Sequence, residues 1–452
     1  MKFLTATIVF ILLPVWAVSA TPLRPNILII FTDDQGYGDL GCYGNTVNKT
    51  PRMDQFAREG TRFTSFYSQS VCGPARSALL TGRYPIRSKG WSMPASEITI
   101  AELIKEVDYQ TACIGKWDVS NRKAIIERMP NAQGFDYYFG TLGANDSGKV
   151  TFHENNDEAG QTEDMGSLIK LYTDKSIDWL QNKRDPDRPF VLYLAHTMMH
   201  TIIGASPEFR GTSKGDLYGD VVEEFDYYTG KLLDVVDELG LRDNTLVIYT
   251  SDNGPWNQTA YTSKKKGHPE GSIFWGDSGP LRAGKGSAYE AGSRVPCIVR
   301  WPGKVPAGRV SDAIFSTIDF MPTFANLTGY AIPDDRIIDG IDQTNLLLGK
   351  TESGRETFAY DQISTPNQAF RWRNWKLLVP GRKGEKKQGY LMDFGSNDYE
   401  LYDLGKDVGE TENLIDQYPE VAGRLKDLLQ QHIQSAEGEI LPQGIRLPDP
   451  RN

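Results

Sequence analysis

The stretch Ser70-Val71-Cys72-Gly73-Pro74-Ala75-Arg76-Ser77-Ala78-Leu79-Leu80-Thr81-Gly82 holds the most informative cysteine of the chain. A cysteine is ordinarily a small buried apolar side chain or half of a disulfide. Cys72 instead stands directly before Gly-Pro-Ala-Arg and a short helix-like run. The start of a helix presents backbone N–H groups and the positive end of the helix dipole, which together suit an anion. Arg76, within the same run, adds a full positive charge.

Outward from this stretch, short apolar runs recur, and each ends in polar residues. Asn26–Phe31 leads to Thr32, Asp33 and Asp34, and Thr111–Ile114 leads to Gly115, Lys116, Trp117 and Asp118. Phe190–Leu194 leads to Ala195 and His196, and Thr245–Tyr249 leads to Ser251, Asp252 and Asn253. Continuous apolar runs of this length suit strands buried on both faces. Helical patterns intervene at Pro51–Glu59, Thr99–Val107, Ser167–Gln181 and Tyr218–Leu239. The alternation predicts an α/β fold with a mixed or parallel sheet. Such sheets bind ligands at the carboxyl ends of their strands. Asp33, Asp34, Lys116, His196, Asp252 and Asn253 all fall there and are expected to share one site.

After about Thr351 the runs shorten and become richer in charge and aromatics. A smaller C-terminal α+β subdomain is expected, with a strand at Glu400–Leu404 and an amphipathic helix over Pro419–Gln431. The expected division is a signal peptide at 1–20, an α/β catalytic domain at 21–355 and the C-terminal subdomain at 356–452.

Of the 452 residues, 39% are hydrophobic and 24% charged, as in a globular protein. The net charge of −10 argues against a nucleic-acid partner. Positive charge for an anionic substrate must therefore be gathered in a pocket. Met1–Ala20 carries one Lys, an apolar run and the small residues Ser19 and Ala20, the pattern of a secretory signal. The run is short for a bilayer span, so no membrane anchor is expected and the chain is placed in the periplasm or outside the cell. Four cysteines (Cys42, Cys72, Cys113, Cys297) are sparse for a secreted eukaryotic chain and fit bacterial export better.

Asp33, Asp34, Asp252 and Asn253 offer hard oxygen ligands, which favour Ca²⁺ or Mg²⁺ over zinc. Read singly, Asp-Asp and Asp-Asn-Gly are turn formers; here each follows a buried strand. Lys285, in Gly284-Lys285-Gly286, lacks the spacing of a phosphate-binding loop. Together Arg76, Lys116 and Lys285 are suited to surround a tetrahedral oxyanion.

Cys72-Gly-Pro74-Ala-Arg76-Ser-Ala-Leu-Leu80-Thr81-Gly82 resembles the signature of the formylglycine-dependent type I sulfatases, in the alkaline phosphatase superfamily. The resemblance runs through Asp33-Asp34-Gln-Gly-Tyr-Gly-Asp39, Gly115-Lys116-Trp117, Gly134-Phe-Asp136, Ser251-Asp-Asn-Gly254 and Gly284-Lys-Gly286. It continues through Arg294-Val-Pro296, Trp301-Pro-Gly303 and Glu400-Leu-Tyr-Asp403. It implies an alkaline-phosphatase-like fold, with a mixed central sheet flanked by helices, and hydrolysis of sulfate esters. It also implies that a formylglycine-generating enzyme oxidises Cys72 during maturation. One Ca²⁺ ion would be held by Asp33, Asp34, Asp252, Asn253 and the modified Cys72. Arg76, Lys116 and Lys285 would bind the sulfuryl oxygens. His200, in Ala195-His-Thr-Met-Met-His200, matches the segment that supplies the proton to the leaving group, with His196 as the fallback.

One departure stands out. The family pattern continues Gly-Lys-Trp-His, and here Asp118 follows Trp117. Asp118 is read as the base that replaces that His in sulfate release, or as a contact to a substrate hydroxyl. The expected substrate is a sulfated carbohydrate. The alternatives are a phosphodiester or phosphonate hydrolase of the same superfamily and a non-catalytic binder of sulfated glycans. Specificity is expected from loops such as 145–161 and 257–279.

Overall fold

The computed structural model describes residues 22–256, 273–360, 369–380 and 398–439, together with the backbone of 386–387 and 390–391. The expected signal peptide and most of the 257–279 loop lie outside the described residues.

Leu28 and Ile30 enter one hydrophobic cluster, while Ile27, Ile29 and Phe31 enter another. A strand whose alternate side chains feed two cores lies inside a sheet covered on both faces. This strand is β1 (Asn26–Thr32). The others of its sheet are β2 (Thr61–Phe63), β3 (Gln110–Lys116), β4 (Tyr137–Thr141), β5 (Val150–Glu154) and β6 (Asp157–Thr162). They are joined by β7 (Phe190–Ala195), β8 (Thr245–Ser251), β9 (Cys297–Arg300) and β10 (Arg309–Ser311). The ten strands run in the order β10-β2-β9-β8-β1-β7-β3-β4-β5-β6. The centre, β8-β1-β7-β3-β4, is parallel, and β9, β5 and β6 pair antiparallel with their neighbours. The mixed central sheet expected from the sequence is the one that forms.

The flanking helices include α1 (Pro51–Glu59), α2 (Cys72–Thr81), α3 (Ile100–Lys105), α4 (Leu168–Asp178), α5 (Asp216–Glu238) and α6 (Phe320–Thr328). Met53, Phe56, Leu168, Tyr172, Val221 and Phe225 carry α1, α4 and α5 onto one face. Leu79, Leu80, Ile100, Leu103, Phe320 and Phe324 carry α2, α3 and α6 onto the other. Thr99, read as helical, is the N-cap of α3, with its side chain accepting from the Glu102 amide. No helix among the described residues is long and apolar enough to cross a membrane.

The segment expected to be a specificity loop at 145–161 contains the hairpin β5–β6 on the sheet edge. Asp157-Glu-Ala-Gly-Gln-Thr162 has almost no apolar residue and is mostly exposed, so it lacks the alternation that marks a half-buried strand.

A four-stranded antiparallel sheet follows: β11 (Thr357–Tyr360), β12 (Ala369–Trp372), β13 (Trp375–Leu378) and β14 (Glu400–Asp403). Helix α7 (Pro419–Glu437) covers it through Leu425 and Leu429, running beyond the expected end at Gln431. A buried polar network ties this sheet to the segment that leads into β9. Lys376 on β13 pairs with Glu290 at 2.9 Å and Glu410 at 2.7 Å, all three fully buried. Glu290 also accepts from the hydroxyls of Tyr67 and Tyr360, at 2.5 Å each. Removing one partner of such a pair would leave uncompensated buried charge.

Gly115 shows how closely the strands near the site are packed. It has φ +112°, and a Cβ there would lie 1.9 Å from the Ala195 carbonyl oxygen on β7. Gly115→Ala is expected to cost about 3 kcal/mol or more, because it adds backbone strain to a clash with a neighbouring strand. A guanidinium unfolding midpoint equal to wild type would contradict this packing.

Candidate active site

The ends of β1, β8, β7 and β3 lie side by side in the sheet, and α2 begins over them. Arg76, one turn into α2, reaches all four. Its Nη2 donates to Asp33 Oδ2 (3.2 Å) beyond β1 and to Asp252 Oδ2 (2.8 Å) beyond β8. It also donates to the His196 carbonyl (3.3 Å) beyond β7, and Nη1 donates to the Lys116 carbonyl (2.9 Å) at the end of β3.

Cys72 opens α2 and is buried, with Sγ 3.1 Å from Lys285 Nζ, 3.4 Å from Asp33 Oδ1 and 3.9 Å from Asp34 Oδ1. Lys116 Nζ donates to Asp33 Oδ2 at 2.6 Å, and Lys285 Nζ pairs with Asp34 Oδ1. Asn253 Nδ2 donates to the same Asp34 oxygen at 2.7 Å. Every residue read from the sequence as a metal ligand or oxyanion contact thus comes together here. His196 stands apart in function: its Nδ1 accepts from the Met198 amide at 2.9 Å, and its ring packs edge-on against Tyr172 and Phe225. Burial pushes its pKa down to about 3 and lowers that of His200 as well, so position separates the two: a ring nitrogen of His200, and none of His196, lies in the cluster with Asp33, Asp34 and Cys72.

The donor set fits a hard cation. Asp34 Oδ2 and Asn253 Oδ1 are buried without a hydrogen-bond partner, and an unpaired buried oxygen is costly unless something binds it. Burial pushes the Asp34 carboxyl up to about 7 against the opposing charge of Lys285, and that of Asp252 to about 6, with Asp33 adding to the rise in both. Burial acts the same way on Asp33, but Lys116, His200, Arg76 and Lys285 hold it well below the usual range. A divalent ion would relieve the mutual repulsion of these carboxylates. Donor atoms of Asp33, Asp34, Cys72 and His200 all lie within 4.8 Å of one another.

His200 is buried and places Nδ1 2.6 Å from the Thr201 carbonyl. Its Nε2 lies 3.8 Å from both Asp34 Oδ2 and Asp146 Oδ1. Asn145 fixes this segment by donating to the carbonyls of His200 (2.7 Å) and Ile202 (2.6 Å). Asp118 is fully buried: Oδ1 accepts from Arg122 Nε (2.7 Å), Oδ2 accepts from Trp91 Nε1 (3.2 Å), and Lys116 Nζ is 3.5 Å from Oδ2.

Residues 25–330 match the family model for sulfatases, and residues 284–435 match that for the C-terminal region of N-sulphoglucosamine sulphohydrolase. The chain belongs to the sulfatase family. It is a sulfuric ester hydrolase, which sets aside the non-catalytic alternative. An N-acetylgalactosamine-6-sulfatase from Canis lupus familiaris is 32% identical over 92% of this chain and 87% of its own length. An N-acetylgalactosamine-6-O-sulfatase from Bacteroides thetaiotaomicron is 31% identical over 90% of this chain and 93% of its own. A solved sulfatase structure, described under glycosaminoglycan metabolism by Bacteroides thetaiotaomicron, superposes with a TM-score of 0.80 at 28% identity, covering 91% of this chain and 100% of its own.

Sequence reasoning on this sulfatase missed Trp91, Arg122 and Asp146. Arg122 follows Asp118 by four residues, which was the one local signal; Asp146 sits in a segment read as loop. Arg76 offers a direct test of the assembly. Arg76→Met would strand Asp33 and Asp252 as buried charges and is expected to cost about 3–5 kcal/mol. The chemical denaturation midpoint should fall accordingly, and an unchanged midpoint would show that the carboxylates find other partners.

Proposed function

We propose that this sulfatase removes sulfate from a sulfated carbohydrate of the glycosaminoglycan class, after export to the periplasm or cell exterior. The two relatives named for N-acetylgalactosamine 6-sulfate support this substrate class, and the apolar leader Met1–Ala20 supports the location. The reading assigns a formylglycine at position 72, made by a formylglycine-generating enzyme, and one Ca²⁺ held by Asp33, Asp34, Asp252, Asn253 and residue 72. The observation that carries it is the meeting of Cys72 Sγ, at the first residue of α2, with Lys285 and Asp33 at 3.1 and 3.4 Å.

Cys72 Sγ marks where the modified side chain would stand. Formylglycine supplies a hydrated aldehyde as nucleophile, and bound Ca²⁺ supplies Lewis-acid polarisation of the sulfate. The chain's own residues do the rest. Lys285, 3.1 Å from Cys72 Sγ, and Lys116, paired with the Asp33 that faces the same sulfur, bind the sulfuryl oxygens as charge develops there. Arg76 holds Asp33 and Asp252 in register for the ion and the nucleophile. The Nδ1–H of His200 is tied to the Thr201 carbonyl, and burial together with Lys285 holds its pKa well below the usual range, so it serves the leaving oxygen from Nε2 once that nitrogen, facing Asp34 and Asp146, has taken up a second proton. Asp118, in place of the family His, accepts a proton at Oδ2 as sulfate is released, with Lys116 beside it. Burial of the whole set keeps bulk water from screening these charges.

Protein expressed with a formylglycine-generating enzyme should carry a hydrazide-reactive aldehyde on the peptide containing residue 72 and should desulfate chondroitin-derived saccharides. Cys72→Ala should lose both properties, by about 10⁴-fold or more in turnover. Faster turnover of phosphate esters than of sulfate esters would overturn the substrate assignment.

The metal has a readout independent of turnover. Ca²⁺ at about 100 times its Kd should stabilise the chelator-treated protein by about 2.7 kcal/mol, a rise in Tm of a few degrees. Asp34→Ala should abolish this rise. An equal Ca²⁺ response in Asp34→Ala would place the ion elsewhere.

A further inference from the structure

The charged groups around Cys72 form a ring that closes on its sulfur, which faces Asp33 at 3.4 Å and Asp34 at 3.9 Å. Lys116 links Asp33 (2.6 Å) to Asp118 (3.5 Å), and Asp118 links to Arg122 (2.7 Å). Arg122 Nη1 pairs with Asp146 Oδ2 (2.9 Å), Asp146 Oδ1 faces His200 Nε2 (3.8 Å), and His200 faces Asp34 (3.8 Å). The ring is buried except on one arc. The side chains of Arg122 and Asp146 are 42% and 44% exposed, whereas those of Lys116, Asp33 and Asp118 are sealed and that of His200 is 4% exposed. Of the side chains in this ring, those of Arg122 and Asp146 are the ones open to a leaving group that reaches solvent.

We infer that Arg122 and Asp146 form a hydroxyl-reading clamp that selects the sugar to which the sulfate is attached, an inference that rests on the sulfated-carbohydrate reading. Arg122 is fixed before substrate arrives. Asp118 holds its Nε and Asp146 holds Nη1, while Nη2 donates to no described residue. Two carboxylates offset its charge, which suits it to neutral hydroxyls better than to a second anion on the substrate. The pair offers donors and an acceptor side by side, the complement of a sugar hydroxyl.

The backbone supports a built site. Asp118, Asn121 and Arg122 all have left-handed φ (+56°, +59° and +56°), a conformation that costs non-glycine residues energy. The Asn121 amide is clamped to the Trp91 carbonyl at 2.7 Å, and Ser92 Oγ to Asn121 Oδ1 at 2.9 Å. A buried carboxylate and a docked loop thus hold a half-exposed arginine in one place. Asp118 acts in this clamp as the positioning residue for Arg122.

A site built to hydrogen-bond a hydroxyl discriminates strongly against ligands lacking it, less so when it is half exposed. The test compares kcat/KM on a panel of sulfated mono- and disaccharides with that on 4-methylumbelliferyl sulfate, whose leaving group has no sugar hydroxyl. Arg122→Met and Asp146→Asn, checked for folding by circular dichroism and Tm, should each lower the saccharide-to-aryl ratio by about 10²-fold, mostly through KM. Arg122→Lys should recover only part of it. A ratio within about threefold of wild type in folded variants overturns the clamp, whether both activities fall or neither does. Wild-type turnover of the aryl sulfate with no saccharide cleaved overturns the clamp and leaves the sulfatase chemistry standing. Wild type inactive on every sulfate ester overturns the proposed function itself.

Discussion

One buried guanidinium organises this molecule. Arg76 touches the ends of four neighbouring strands and links them to the helix that Cys72 begins. Parallel strands all present their carboxyl ends at one edge, and loops diverging from that edge would scatter their side chains. Arg76 prevents this by giving two carboxylates and two carbonyls a common partner. The planar fork of arginine can do so from one position; the single ammonium of lysine cannot.

The same arrangement explains how so many charges survive without water. Asp33, Asp34 and Asp252 face Arg76, Lys116 and Lys285, so the sealed site is close to neutral before any ligand enters. The balance is local and directional: Lys116 and Arg76 serve Asp33, while Asp34 is left with one unpartnered oxygen. The C-terminal sheet repeats the motif at larger scale. Lys376 pairs with Glu290 and Glu410, Arg294 adds a second cation to Glu290, and Arg282, three residues before Lys285, donates to the Glu410 carbonyl at 2.8 Å. The loop bearing Lys285 is therefore fixed from both sides.

Much of this was legible in the sequence, because strands buried on two faces leave unbroken apolar runs such as Asn26–Phe31 and their polar ends mark the site. Helix α1 was read to its last residue, since Pro51 starts it and an amphipathic stripe fills it. The hairpin β5–β6 was not legible, because a solvent-exposed edge strand needs no apolar residue. Arg122 and Asp146 escaped for a different reason: each is an ordinary surface charge until the fold sets one 2.9 Å from the other. The role of His196 turned on its aromatic neighbours, which come from two distant helices.

The depth of Cys72 imposes an order in time. All ten residues of α2 are buried, and Cys72 retains 2% of its accessible surface. An enzyme that alters this side chain must reach it while the surrounding chain is still open. The segment that follows Lys285 is held by a contact distant in sequence, in which the backbone amide of Glu290 donates to Glu410. At about 5–20 residues per second, synthesis from residue 72 to residue 410 takes roughly 20–70 s. A chain that has not reached residue 410 therefore lacks this contact in the segment that follows Lys285.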